Sequence, residues 1–246
     1  MRRFCDQLAE AFCLLTRLPA GRFLSAGFQS APVSCVWAYP VVGLAVGLLG
    51  STAFWVASRF GMAPLLAACW TLVVMVSVTG GFHEDGLADT ADGFGGGRTG
   101  ERKLQIMRDS HIGSFGTIAL ILSLAIRVTA IATSAAPVTA IVIAAMAGRT
   151  AIIGMLLLLN PARSDGLAAS LLRVSPARSA TALGFAALAS VVLLSPSMAL
   201  WVVLLSLAGV WTMSRLAAAQ IGGYTGDVLG ATEIVVECVV LSALAT

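Results

Sequence analysis

Long apolar runs alternate with short polar segments along the whole chain. Seven stretches, at residues 36–58, 62–82, 112–133, 137–159, 180–195, 197–213 and 229–246, are apolar over most of their length. A helix that crosses a bilayer core about 30 Å thick needs around 20 such residues. The pattern therefore predicts an all-α, polytopic membrane bundle of about seven transmembrane helices. Six is the other count it allows, because the two stretches around Pro196 are short and the last one carries Glu233 and Glu237. No linker or shift in composition divides residues 1–246, so a single domain is expected. Ahead of the first span, Phe4, Leu8, Phe12 and Leu15 recur at helical spacing, which predicts an amphipathic helix lying flat on the membrane. Asp6, Gln7 and Glu10 interrupt its apolar stretch, so a cleaved secretory signal is not expected.

Composition supports the membrane reading. With the glycines counted and the tyrosines removed, roughly 67% of the chain is apolar, against about 45–50% in soluble domains. Charged residues make up 11%, against about 25%. A net charge of +3 provides no extended basic patch, so no nucleic-acid partner is expected. The five cysteines have neither a CxxC pair nor framework spacing and read as buried, reduced thiols. Orientation follows from the basic residues. With the N-terminus in the cytoplasm, Arg2, Arg3, Arg17, Arg22, Arg98, Arg102, Lys103, Arg108, Arg163, Arg173, Arg178 and Arg215 all fall inside and Arg59 alone falls outside, as the positive-inside bias requires. Arg127 and Arg149 lie within spans.

The chemistry is concentrated in residues 80–116, which hold six of the twelve acids and both histidines. Asp85, Asp89 and Asp92 stand at i, i+4 and i+7, so a helix places all three carboxylates on one face. A solvated loop is the ordinary reading of such a charge run. Here the run begins beside an apolar span, where clustered carboxylates are costly unless paired or metal-bound. Hard oxygen ligands suit Mg²⁺, which takes one or two carboxylates, keeps waters and is completed by substrate phosphates. Arg98, Arg102, Lys103 and Arg108 can neutralise phosphate or anchor the segment to anionic headgroups. His83 and His111 bracket the segment as metal ligands, general bases or supporting groups; nothing about their spacing suggests zinc. GGGRTG at 95–100 fits a dinucleotide fingerprint only literally, since no strand precedes it, and Glu101 stands where a Walker lysine belongs. The run reads as a flexible turn. Arg149, inside a span, is a functional candidate expected to meet a carboxylate of the aspartate cluster or a substrate phosphate. Asp227, Glu233 and Glu237 form a second acidic set expected to face the first, whereas Asp165 reads as a solvated loop residue.

The segments GGFHEDGLADTADGF and GERKLQIMRDSHIGSFG resemble the signature of the cobalamin-5'-phosphate synthases, also called adenosylcobinamide-GDP ribazoletransferases. FCLLTRLP, YPVVGLAVG, AGRT and YTGDVLGATEIVVE resemble further family elements in the same order, so the resemblance covers nearly the whole chain. In some members a leucine stands where Glu84 is and a glutamine where Tyr224 is, and those two positions weigh less as ligands. The resemblance implies a Mg²⁺-dependent, multi-pass enzyme of the plasma (inner) membrane with catalytic loops facing the cytoplasm. A hydroxyl of α-ribazole, or of its 5'-phosphate, would attack the cobinamide-linked phosphorus of adenosylcobinamide-GDP and expel GMP. Self-association, or association with other enzymes of the cobalamin pathway, is compatible with it.

On that reading, residues 83–111 form the cytoplasmic catalytic segment, and Asp85, Asp89 and Asp92 bind the metal. Asp109 or Asp227 completes the metal shell or orients the nucleophile, and His83 is the general base. Arg102, Arg108, Ser110, Arg149, Thr225, Glu233 and Glu237 contact substrate. Among other enzymes, a CDP-alcohol phosphotransferase or an aspartate-rich prenyltransferase is the alternative. The first needs arginine after the alanine of DGxxAR, where Asp89 stands here, and the second needs a tighter aspartate pair. An ion-coupled transporter could also carry intramembrane Arg149, Glu233 and Glu237, but no internal repeat supports one.

Overall fold

The computed structural model describes residues 2–29, 31–171 and 174–245, so Arg173, one of the basic residues expected inside, lies outside the described residues. In chain order the helices are α1 (Arg2–Leu15), α2 (Tyr39–Arg59), α3 (Pro64–Thr79), α4 (Phe82–Gly96), α5 (Gly100–Ile106), α6 (Ser114–Thr133), α7 (Pro137–Leu158), α8 (Pro176–Leu193), α9 (Pro196–Ile221) and α10 (Gly226–Ala243). Proline occupies the first turn of α2, α3, α7, α8 and α9, where its missing N–H costs nothing. Gly80 and Gly222 end α3 and α9 in the left-handed conformation, which glycine adopts without steric penalty.

Among the described residues, five helical segments are long and apolar enough to cross a bilayer: Val36–Arg59, Ser114–Thr133, Pro137–Leu158, Pro176–Leu193 and Pro196–Ile221. The remaining two expected spans deviate for identifiable reasons. At 62–82 the helix stops at Thr79, because Gly80 and Gly81 both take positive φ, and the chain bends by 90° into α4. The pair α3–α4 can count as one broken span. α10 has 18 residues but carries Asp227, Glu233 and Glu237. The stretch around 197–213 proves longer than its apolar run, since α9 continues through Ser214 to Ile221. Exposed Ile118, Ile121 and Leu122 on α6, Leu188 and Val191 on α8, and Leu207 and Trp211 on α9 give these helices lipid-facing surfaces.

The amphipathic α1 is also a clasp. Asp6 accepts the Ser25 N–H at 2.8 Å, Glu10 accepts that of Ala31 at 2.8 Å, and Gln7 accepts the Trp37 indole N–H at 2.9 Å. Its polar face thus satisfies the backbone of the segment leading into α2, and the Arg17 N–H to Val78 O bond at 2.7 Å ties its end to α3.

α7 is the buried centre of the bundle, with α2 packed along it. A Cβ at Gly43 would lie 2.5 Å from Ala145 O, and one at Gly47 would lie 2.8 Å from Val142 Cα. Apolar burial gives no advantage over lipid within a bilayer, so close backbone approach at small residues is what holds such helices together. Gly47→Val should lower unfolding stability by about 2 kcal/mol, the typical cost of overpacking. Denaturant titration in detergent measures it, and an unchanged midpoint would mean that α2 and α7 separate at little cost.

Candidate active site

α4 runs opposite to both α10 and α6. His83 lies beside Gly230 and Gly86 beside Asp227 on one side, while Glu84 meets Arg127 and Asp92 meets Gly113 on the other. Glycine makes the first contact possible, since a Cβ at Gly86 would stand 2.7 Å from Asp227 O. The close approach brings Asp85 and Asp89 together with Asp227. Asp89 feels the charges of Asp85, Asp227 and Asp92, with Arg163 as the opposing charge. Four carboxylates against one cation leave a local excess of negative charge. Arg163 arrives from the segment after α7, which is stitched to the start of α10 by Ala162 N–H to Tyr224 O at 2.8 Å and Tyr224 N–H to Asn160 O at 3.0 Å. Its Nη2 also donates to Leu104 O at 2.8 Å, and partial burial pulls its pKa below the usual guanidinium value.

Two recesses flank this group. A cavity of about 280 Å³ under α1 is lined by Leu15, Tyr39, Phe82, His83, Asp85, Arg163 and Asp227, among others. An open cleft of about 430 Å³ on the other side is lined by Glu84, Asp85, Asp89, Arg108, Asp109 and Ser110, among others. His83 is buried, its Nδ1 lies 3.7 Å from Glu233 Oε2, and its Nε2 has no partner. Arg108 donates to both oxygens of Asp165, at 2.8 and 2.6 Å. Asp109 accepts from His111 Nδ1 at 2.7 Å and from its backbone N–H at 3.1 Å. These bonds hold the carboxyl below its ordinary pKa.

Deeper in the bundle, charges pair with one another. Arg149 reaches Glu233 at 2.5 Å and Glu237 at 3.1 Å, while Arg127 reaches Glu84 at 2.9 Å and Glu237 at 3.4 Å. Glu237 thus bridges both arginines. Gly148 makes room for the pair on α7, since a Cβ there would meet Glu233 Oε1 at 2.8 Å.

Comparison with known proteins shows the family. The cobalamin-5-phosphate synthase family model matches residues 7–245. The chain belongs to that family. Among its relatives, the protein named adenosylcobinamide-GDP ribazoletransferase of Bradyrhizobium diazoefficiens is 46% identical, over 98% of this chain and 94% of the relative. The one of Mesorhizobium japonicum is 42% identical, over 98% and 93%, and that of Rhizobium meliloti 35%, over 100% and 98%. No solved structure matches the chain.

Within this member of the cobalamin-5-phosphate synthase family, the site expected from sequence is partly gathered and partly redistributed. Asp85, Asp89 and Asp227 converge, and Arg108, Asp109 and Ser110 line the adjoining cleft. Asp92 is used differently, because its two oxygens accept the N–H groups of Gly113 at 2.7 Å and Gly116 at 2.9 Å, capping α6 as a carboxylate at a helix N-terminus does. Arg149, Glu233 and Glu237, expected to touch substrate, are buried and pair internally. Among the described residues Arg149 pairs with Glu233 and Glu237 and lines neither of the two recesses, and of the second acidic set it is Asp227 whose charge Asp89 feels. Arg102 is exposed and its Nη1 donates to Gln105 at 3.3 Å. Thr225 caps α10 and donates its hydroxyl to Asp227 at 3.1 Å. Asp165, read as a solvated loop residue, is exposed but holds Arg108.

Three contributors have no role assigned by sequence: Arg163, Arg127 and Glu84. Arg127 carries a signal that could have found it, because an arginine inside a span needs a buried partner. Arg163 gives none apart from its place among the basic residues expected on the cytoplasmic side.

Proposed function

We propose that this chain is an adenosylcobinamide-GDP ribazoletransferase. It joins adenosylcobinamide-GDP to α-ribazole, or to α-ribazole 5'-phosphate, giving adenosylcobalamin or its 5'-phosphate and releasing GMP. What carries the reading is the convergence of Asp85, Asp89 and Asp227 beside Arg163, in a chain of this family. Displacement at a diphosphate needs charge neutralisation and in-line positioning more than covalent help, and that is what such a site supplies.

The residues fit a magnesium ion by their chemistry. Among the described residues no three His, Cys, Asp or Glu side chains already stand close enough to clasp a metal unaided, but magnesium uses few protein carboxylates and relies on water and substrate phosphate for the rest. Asp85, Asp89 and Asp227 would hold it, and it would supply positive charge to the diphosphate oxygens. Arg163 and Arg108 neutralise the remaining phosphate charge, Arg108 exchanging Asp165 for phosphate. His83, with Nε2 free and Glu233 behind Nδ1, accepts the proton of the attacking ribazole hydroxyl. The new bond joins that oxygen to the cobinamide-linked phosphorus, the bond from that phosphorus to the bridging oxygen breaks, and GMP departs with the oxygen. Asp109, kept ionised by His111, orients groups in the cleft. The bias of basic residues supports a cytoplasmic setting for these segments at a plasma (inner) membrane, with the lipid bilayer as the standing partner.

The test is GMP release by purified protein in detergent, given adenosylcobinamide-GDP, α-ribazole and Mg²⁺. EDTA-sensitive release with formation of a cobalamin is the expected result. Consumption of a CDP-alcohol substrate instead would overturn the substrate, and no turnover of either by folded protein would overturn the enzyme reading.

A further inference from the structure

The cavity and the cleft share one lining residue, Asp85, and differ in enclosure and in how much of the lining is apolar. The cavity is the more enclosed and the more apolar. Leu15, Tyr39, Phe82, Ile152 and Leu171 line it beside His83 and Thr225, and Asp85, Asp165, Asp227 and Arg163 bring charge to the same lining. At about 280 Å³ it lies near the lower end of the range, about 300–1,000 Å³, that takes one small molecule. The cleft is open and carries four carboxylates, Glu84, Asp85, Asp89 and Asp109, with Arg108.

We propose that the two substrates bind on opposite sides of Asp85, with the ribazole nucleoside in the cavity and the diphosphate arm of the cobinamide-linked nucleotide in the cleft. This assignment rests on the ribazoletransferase reading. Size decides most of it. A corrin ring with its axial ligands cannot enter the cavity, so the larger substrate must present its diphosphate from the open side. A nucleoside can enter. Its flat aromatic base matches a lining that includes the rings of Tyr39, Phe82 and Tyr224, and its ribose hydroxyls match the polar groups of the same lining, His83, Thr225 and the carboxylates. The carboxylates of the cleft repel a bare diphosphate and accept one that brings a cation. Asp85, common to both sides, then marks where the hydroxyl and the phosphorus meet.

Ala168 lines the cavity and is buried, whereas Ile112 lines the cleft and is exposed, so the two recesses can be obstructed separately. Ala168→Trp should raise the KM for α-ribazole at least about tenfold and leave the KM for adenosylcobinamide-GDP unchanged; Ile112→Trp should do the reverse. Should Ala168→Trp fail to fold, Phe82→Ala, which removes one aromatic wall, should weaken α-ribazole binding. Equilibrium dialysis of labelled α-ribazole against the protein in EDTA reads that binding without turnover. An active wild type in which Ala168→Trp instead raises the KM for the cobinamide-linked substrate, or in which Phe82→Ala binds α-ribazole as wild type does, overturns the assignment. A wild type that releases no GMP overturns the ribazoletransferase reading itself.

Discussion

Asp89→Ala should lower GMP release at least about a hundredfold, the loss typical when one preorganised electrostatic group is removed from a reaction centre, and should leave the fold as stable as wild type. Asp89 sits among Asp85, Asp92 and Asp227 with Arg163 as the opposing charge. Asp89 is half-buried among like charges and makes no hydrogen bond or ion pair among the described residues, so its removal takes away no favourable contact that the fold depends on. A structural residue would behave in the opposite way, losing stability and activity together. Single-turnover GMP release, paired with a denaturant midpoint in detergent, separates the two cases. A well-folded variant that keeps more than roughly a tenth of the wild-type rate would remove Asp89 from the reaction centre, since even one such group is worth more than that.

Arg149→Met should produce the converse result: a loss of about 3–5 kcal/mol of stability, the cost of leaving a buried charge without its partner. Arg149 is held by Glu233 and Glu237, and without it the ion-pair partner left to Glu233 among the described residues is His83, at 3.7 Å. Glu237 still has Arg127, so the damage falls mainly on Glu233. The double variant Arg149→Met with Glu233→Gln should therefore recover part of the loss, because the charge left stranded has been removed as well. Unfolding in detergent reads both. An Arg149→Met protein that unfolds like wild type but needs far more adenosylcobinamide-GDP to reach half its maximal rate would return Arg149 to the substrate-binding set.

These two outcomes trace a division within the molecule. Both sets of acids are visible in the sequence, and both sit at or inside apolar spans, so spacing alone assigns them to one site. Asp85 and Asp89 share a helix face one turn apart, and that relation survives folding because it is local. Asp92 shares the face too, yet the tertiary structure spends its carboxylate on the N-terminus of α6, a helix that begins more than twenty residues later. Glu233 and Glu237 are one turn apart on α10 and point to Arg149 and Arg127, partners supplied by α7 and α6.

The sequence by itself determined the membrane class, the approximate number and position of the spans and the family, and it set an expectation for the side the polar segments take. The physical reason is that each depends on local quantities: the length of an apolar run against the bilayer thickness, the bias of basic residues between loops, and contiguous motifs. The 90° bend after Thr79 was not legible as a length or a hydropathy, since it depends on two successive glycines taking positive φ. Only the tertiary structure decided which acids face a substrate and which face a buried arginine. That choice depends on how closely α4 and α10 approach at Gly86 and Gly230, and on which charges are thereby excluded from water and must pair with one another.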